Sequence, residues 1–334
     1  MGLQTVRLEN PPAIFSSYSI VGPKEGQGPL KKYFDMILED DLWGEESFEK
    51  AERKIQEEAI RGAINKASLS GKDMDYLIAG DLLNQIIASG YSARQLGIPF
   101  FGLYGACSTM TESLSLGAML VDGGFADKVV CATSSHFSTA ERQFRFPLEY
   151  GSQRKFSAQW TVTGAGATIL SKEGVGPFIK YITNGKIIDA GLKDASNMGA
   201  AMAPAAMDTL IHHFQDTGFG PEDYDLIITG DLGHVGKEIV IDLMKKEGYD
   251  LKGVFTDCGV EIFNKNQQDT HAGGSGCGCS ATVFNGYILD EMKKGNLNRV
   301  LFMATGALHS TMITQQGESI PCIAHAVTLD NKKE

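Results

Sequence analysis

The chain repeats itself, and that repeat limits the folds open to it more than any other feature of its 334 residues. Asp73-Met-Asp-Tyr-Leu-Ile-Ala-Gly-Asp81 recurs as Glu222-Asp-Tyr-Asp-Leu-Ile-Ile-Thr-Gly-Asp231, which makes Asp81 and Asp231 equivalents. Further along each copy, Gly105-Ala-Cys107-Ser-Thr leads to a Gly turn and an apolar run ending at Thr133. Cys277-Gly-Cys279-Ser-Ala leads likewise to Thr305. From Cys107 to Thr133, and from Cys279 to Thr305, the distance is 26 positions, so the two cysteines hold the same place in their repeats.

Each block reads as a turn of small residues, an apolar helix (114–121 and 283–292), a Gly turn and a buried strand (129–133 and 300–305). Small residues around each cysteine let a helix begin deep inside the protein, close to its neighbours. Further helices are expected over 47–66 and 201–214, where apolar residues recur at helical spacing. Apolar strands separated by helices predict an α/β protein with mainly parallel sheets, covered on both faces. The expected division gives an N-terminal half over 1–174, with an insertion at about 134–160, and a C-terminal half over 175–334. The run Gly22 to Pro29 reads as a loop and lacks the order of a phosphate-binding loop.

Composition narrows the function classes. Lys and Arg total 30 against 41 Asp and Glu, a formal charge of -11, which repels nucleic acid and anionic lipid at long range. It leaves a role for calcium open. No run of about 18 uncharged apolar residues occurs, because Asp122, Asp127, Asp231 and Glu291 interrupt the best candidates, so no transmembrane segment is expected. The first 21 residues carry Arg7 as their one basic residue and lack a secretory pattern, which predicts a cytosolic start. Six cysteines in such a chain read as thiols.

Cys107 follows an apolar strand and begins a helix, where the helix dipole would favour a thiolate nucleophile; it reads equally as a small buried thiol filling a Gly-rich turn. Asp81 and Cys107 both lie at strand ends, on the side where ligands enter such sheets, although Asp81 also suits capping through Leu82 and Leu83. Among the seven histidines, His271 stands out, because the following Ala272-Gly-Gly-Ser-Gly276 could bring backbone amides to an anion. His136, His309 and His325 read as satisfied by nearby backbone groups, and the His212-His213 pair as surface. Arg142 and Arg145 are candidate guanidinium donors, or else partners of Glu141 and Glu149. The Cys277-Gly-Cys279 pair lacks a second ligand pair at zinc spacing, so no structural metal is expected.

A duplicated βαβ half with a cysteine at the start of a buried helix resembles the thiolase superfamily, whose fold is a layered αβαβα core. More narrowly, Ala79-Gly-Asp-Leu-Leu-Asn-Gln85, Phe101-Gly-Leu-Tyr-Gly-Ala-Cys-Ser-Thr109, Ala132-Thr-Ser-Ser-His136, Ala140-Glu-Arg-Gln-Phe-Arg-Phe146, Ala201-Met-Ala-Pro-Ala-Ala206, Ala272-Gly-Gly-Ser-Gly-Cys277 and Ile320-Pro-Cys-Ile-Ala-His325 resemble the stage V sporulation protein AD family over nearly the whole chain. That resemblance implies binding of dipicolinic acid, with or without calcium, by a component of the spore's dipicolinate transport machinery. It implies a place in the forespore or spore, at the cytosolic face or periphery of the inner membrane, with membrane-embedded partners. A homodimer follows by analogy with the superfamily, and Asp81 and Cys107 are the positions it marks for the ligand.

The superfamily's enzymes add a His, and a second His or an Asn, to the cysteine. Asp231 falls where one of these would stand, and an acceptor-only carboxylate cannot donate to an oxyanion. Gly276 falls at the other, unless a loop shift brings in His234 or His271. The expected ligand-binding set is therefore Asp81, Cys107, Asp231, His271 and Arg142, without condensing activity. The rivals are an acyl-CoA-using acyltransferase with Cys107 as nucleophile and a scaffold with a vestigial pocket.

Overall fold

In the computed structural model of the chain, residues 2–144 and 154–333 are described. The chain begins with β1 (Thr5–Arg7), β2 (Ala13–Val21), β3 (Met36–Ile37) and α1 (Phe48–Lys66). There follow β4 (Tyr76–Gly80), α2 (Ile87–Leu96), β5 (Phe100–Gly102), α3 (Thr109–Asp122), β6 (Lys128–Ser135), α4 (Phe137–Phe144), β7 (Trp160–Thr161) and β8 (Gly164–Ser171). It continues through β9 (Phe178–Thr183), α5 (Met198–Thr217), β10 (Leu226–Thr229), α6 (Gly233–Lys246), β11 (Phe255–Asp257), α7 (Cys258–Glu261), β12 (Gly274–Ser275) and α8 (Cys277–Val283). A π turn, α9 (Leu289–Lys293), β13 (Arg299–Ala307), α10 (Thr311–Gln315) and β14 (Cys322–Asp330) complete it.

The duplication is plain in the strand order. One unit runs β5-β4-β6-β8-β2 and the other β11-β10-β13-β14-β9; the two meet at β2 and β9 through the single pair Ala13↔Phe178. The expectation of mainly parallel sheets is corrected here. β4 is parallel to β5 and β6, and β10 to β11 and β13, but β8 runs antiparallel to its neighbours β6 and β2, as β14 does to β13 and β9. Continuous apolar strands report burial of both faces, and here a helix layer covers each face whatever the strand direction.

Alternation along the strands shows the layers. In β6, Val129 and Cys131 face a central core shared with α3 and α8, while Val130 and Ala132 face α1. In β13, Val300 and Phe302 face the same central core, and Leu301 and Met303 face α5 and α6. The order is thus helix, sheet, helix, sheet, helix, with α3 and α8 in the middle.

A local signal sets the start of α1. Ser47 caps α1 by accepting from the Lys50 amide at 3.3 Å, and Ile55, Ala59, Ile60, Ala63 and Ile64 form its buried stripe. The helix expected over 283–292 is interrupted by the π turn at Phe284–Ile288, where Asn285 accepts from Thr168 (2.6 Å) and donates to the Ala281 carbonyl (2.9 Å).

Candidate functional site

Cys107 lies in a single 3-10 turn, Ala106–Ser108, that runs into α3. The turn is strained, since Ala106 has φ of +51°, outside the usual range for a residue with a Cβ. It is also tightly overlaid, because a Cβ on Gly306 of β13 would come within 2.2 Å of the Gly105 carbonyl. Cys107 is 6 % exposed and packs with Leu82, Ala106, Ala140 and Cys277, against which Phe144 and Leu308 close.

Of the two readings of Cys107, its surroundings favour the buried thiol. Burial raises the Cys107 thiol well above its ordinary pKa; the Asp231 carboxylate and Cys277 push it further in the same direction, against a smaller opposing effect of the Gly276 amide. Burial therefore works against ionisation of this thiol at the start of the helix.

Asp231 stands beside it at the end of β10, fully buried. Its Oδ2 accepts from the Gly276 amide (2.9 Å) and Ser275 Oγ (3.1 Å), and its Oδ1 accepts from Thr305 Oγ1 (3.0 Å). The short β7–β12 ribbon, with Ser275 opposite Thr161, brings these donors into place. Gln159 Nε2 ties it down through the Asp231 carbonyl (2.6 Å) and the Gly274 carbonyl (2.7 Å). Asp257 holds the loop on both sides of Asp231, accepting from Thr229 Oγ1 and the Leu232 and Gly233 amides at 2.7–2.9 Å. Burial, against these hydrogen bonds, still raises the Asp231 carboxyl above its ordinary value.

The second enzyme position has no room for a side chain. Gly276 has φ of +97°, and a Cβ there would stand 2.8 Å from Ser135 Oγ. Neither histidine replaces it. His271, at a positive φ of 49°, bonds the Lys155 carbonyl through Nδ1 (2.8 Å) and meets Asp269 through Nε2 (3.1 Å), in a surface network away from Gly276. His234 opens α6, and the charges that bear on its ring are Lys265, Lys237, Glu238 and Glu261, not Cys107.

Arg142 is already engaged. It projects from α4 to Glu49 on α1 at 2.9 Å, half exposed, and so straps two helices together. Arg145 and Glu149 lie outside the described residues. Asp81 is fully buried with both oxygens engaged: Oδ1 accepts from the Leu83 amide (2.9 Å), and Oδ2 from the Ser89 amide (2.8 Å) and hydroxyl (2.7 Å). It holds the turn into α2, and its negative field reaches Cys277 and Tyr104 rather than solvent.

Several residues of this region carried no signal in the sequence. Glu52 of α1 is fully buried beside Asp81, accepting from Thr139 Oγ1 (2.6 Å) and Ser134 Oγ (3.3 Å), and burial with the neighbouring Asp81 raises its pKa to about 8. Cys277 donates to the Ser134 carbonyl at 3.0 Å. A small cleft of about 50 Å3 opens alongside, lined among others by Ala140, Phe144, Gln159, Met198 and Ser275. It touches the packing shell of Cys107 through Ala140 and Phe144, and the Asp231 network through Gln159 and Ser275.

The stage V sporulation protein AD family model matches residues 2–330. Stage V sporulation protein AD of Bacillus subtilis (strain 168) is 47% identical over 329 residues, covering 98% of this chain and 97% of that protein. Among solved structures, an OleA variant from Xanthomonas campestris superposes with a TM-score of 0.65 at 14% identity, over 97% of this chain and 100% of that one. The 3-oxoacyl-[acyl-carrier-protein] synthase III of Aquifex aeolicus VF5 does so with a TM-score of 0.57 at 14% identity, over 96% and 99%. These likenesses show a thiolase-like fold. With a family match over almost its full length and close identity to a sporulation protein, the chain belongs to the stage V sporulation protein AD family.

Proposed function

We propose that this chain binds dipicolinate, free or as its calcium chelate, on a thiolase-like fold that has lost condensing chemistry, and that it serves the spore's dipicolinate transport machinery. The observation that carries the reading is the replacement of the enzymes' donors. Where an oxyanion would need N–H groups from side chains, the protein has the buried acceptor Asp231 and the side-chain-free Gly276, and burial pushes the Cys107 thiol up, away from a thiolate. The pocket's position is kept while its acid-base set is gone. The cleft beside Cys107 is small as it stands, so α4, with Ala140 and Phe144 on its inner face, gives way to seat the ligand.

Calorimetric titration with dipicolinate, with and without calcium, tests this. Saturable binding is expected for the wild type, and Cys107→Ala should weaken it about tenfold while leaving the fold intact, because a thiol is exchanged for a methyl in a packed turn. Failure of the folded wild type to bind under either condition would remove the reading. Appearance of an acyl adduct on Cys107 after incubation with acyl-CoA, read by intact mass, would instead favour the acyltransferase.

The same proposal includes a homodimer and work beside membrane-embedded partners at the inner spore membrane. Among the described residues, no helix is long and apolar enough to cross a membrane. β5 ends the sheet, and its Phe101 is 50% exposed, with Tyr104 exposed just beyond the strand and Ile87 and Tyr91 exposed on α2. A second copy paired along that edge covers them. Sedimentation velocity should give the mass of a dimer for the wild type and of a monomer for Phe101→Asp; a monomeric wild type at high micromolar concentration ends the dimer proposal.

A further inference from the structure

We infer that His309 contacts the ligand of this cleft, donating from Nδ1 to one carboxylate of an aromatic acid whose ring takes the place vacated by Phe144; this rests on the proposed dipicolinate reading. His309 follows β13 directly after Leu308, which packs against the shell of Leu82, Ala106, Cys107, Ala140 and Cys277. Its ring lies 5.2 Å from that of Phe144, tilted by 46°, and Phe144 is both a wall of the cleft and a member of the same packing shell. The Leu308 amide donates to the Pro321 carbonyl at 2.8 Å and so fixes the stem of the loop that carries His309.

The decisive feature is an unmet polar atom. His309 Nδ1 is buried and has no hydrogen-bond partner among the described residues. The contrast with the other buried rings is direct. His136 bonds the Asp41 carbonyl at 2.8 Å and accepts from the Ser138 amide at 3.1 Å. His213 meets Thr183 Oγ1 at 2.7 Å and the Tyr224 hydroxyl at 2.6 Å. His325 accepts from the Gly185 amide at 3.3 Å. The expectation that His309, like His136 and His325, is satisfied by backbone groups is therefore corrected.

Burying a polar group without a partner is destabilising, and such atoms in native proteins call for a reason. A carboxylate presented beside Phe144 supplies one. Burial lowers the ring's pKa and favours its neutral form, in which Nδ1 can carry the single proton and act as donor without the cost of a buried charge. His309 then gives an acidic protein a neutral means of holding an anion, at a place where Arg142 is already paired with Glu49.

The test is dipicolinate titration of wild type, His309→Ala and His309→Gln, with melting temperatures recorded for each. Alanine removes the donor and should weaken binding about tenfold or more; glutamine keeps an N–H donor and should hold affinity within about threefold of wild type. The assignment of one ligand-induced ring 15N shift to His309 in the wild type gives a readout that a purely structural role would not move. If the wild type binds and His309→Ala binds equally well, or if alanine and glutamine are equally weak with no ring shift, the role of His309 is overturned and the dipicolinate reading stands. Absence of binding by the wild type overturns both.

Discussion

Asp231→Asn is expected to lower the stability of the folded chain by about 2–4 kcal/mol, read as a lower urea midpoint with an unchanged slope. The carboxylate accepts from three donors at 2.9–3.1 Å in a fully buried site. The hydroxyls of Ser275 and Thr305 can turn to accept from an amide, but the Gly276 amide cannot. Wherever the new NH2 points, at least one buried donor or the facing Cys107 thiol loses its acceptor. The same substitution removes a carboxylate that opposes ionisation of Cys107, so alkylation of that thiol should quicken several-fold at neutral pH. Burial remains the larger cause of its unreactivity, so the rate should stay below that of the unfolded chain. Unchanged stability together with unchanged alkylation would show that the Asp231 network does not hold this site.

The second large effect is on the pH dependence of stability. Burial raises Glu52 and Glu25 to about 8 and Asp257 to about 7. A carboxyl whose folded pKa lies above its unfolded value contributes stability in full below the unfolded value and loses it as pH rises through the folded one. Stability of the wild type should therefore fall between about pH 5 and pH 9, by a few kcal/mol for each such group. Glu52→Gln removes one of them while keeping an acceptor for Thr139 and offering a donor to Ser134. It should match the wild type near pH 5.5 and exceed it at pH 9, compared by urea unfolding at both. Parallel losses in the two proteins would count against a protonated Glu52 in the folded state.

How much was legible beforehand depended on how far apart in the chain the cause lay. The 26-residue spacing from Cys107 to Thr133 and from Cys279 to Thr305 is a local pattern, and it correctly implied two copies of one supersecondary unit around buried helices. Ser47 ahead of an apolar stripe likewise marked the start of α1. Strand direction was not local: β6 and β8 look like parallel-sheet strands because both their faces are covered, and covering says nothing of polarity.

The site divided along the same line. Asp231 and Gly276 were found at the enzyme positions from the repeat register, and their meeting at 2.9 Å follows from it. His271 and Arg142 were chosen for their chemistry and their neighbours in sequence, but their partners, Lys155 at 116 residues and Glu49 at 93, come from other parts of the chain. Glu52 gave no sign at all, since helix α1 reads as an amphipathic surface helix until Thr139 and Ser134, 87 and 82 residues away, are seen to enclose its carboxylate. His309 was masked by the ordinary rule that a histidine after a buried strand finds a backbone partner, a rule it breaks.

The placement of the two central helices has a consequence for how such a chain can be divided. α3 belongs in sequence to the β4–β6 unit yet also packs on β13 and β14, and α8, which belongs to the other unit, packs chiefly on β6 and β8. Each repeat thus lends its central helix to its twin, and the shared interior has no seam along which one copy could come away with its own core complete. The repeat holds two copies of one unit, but not two independent folding units: severed between β8 and β9, either fragment would expose the face its counterpart had covered, and the intact chain is expected to melt as one body.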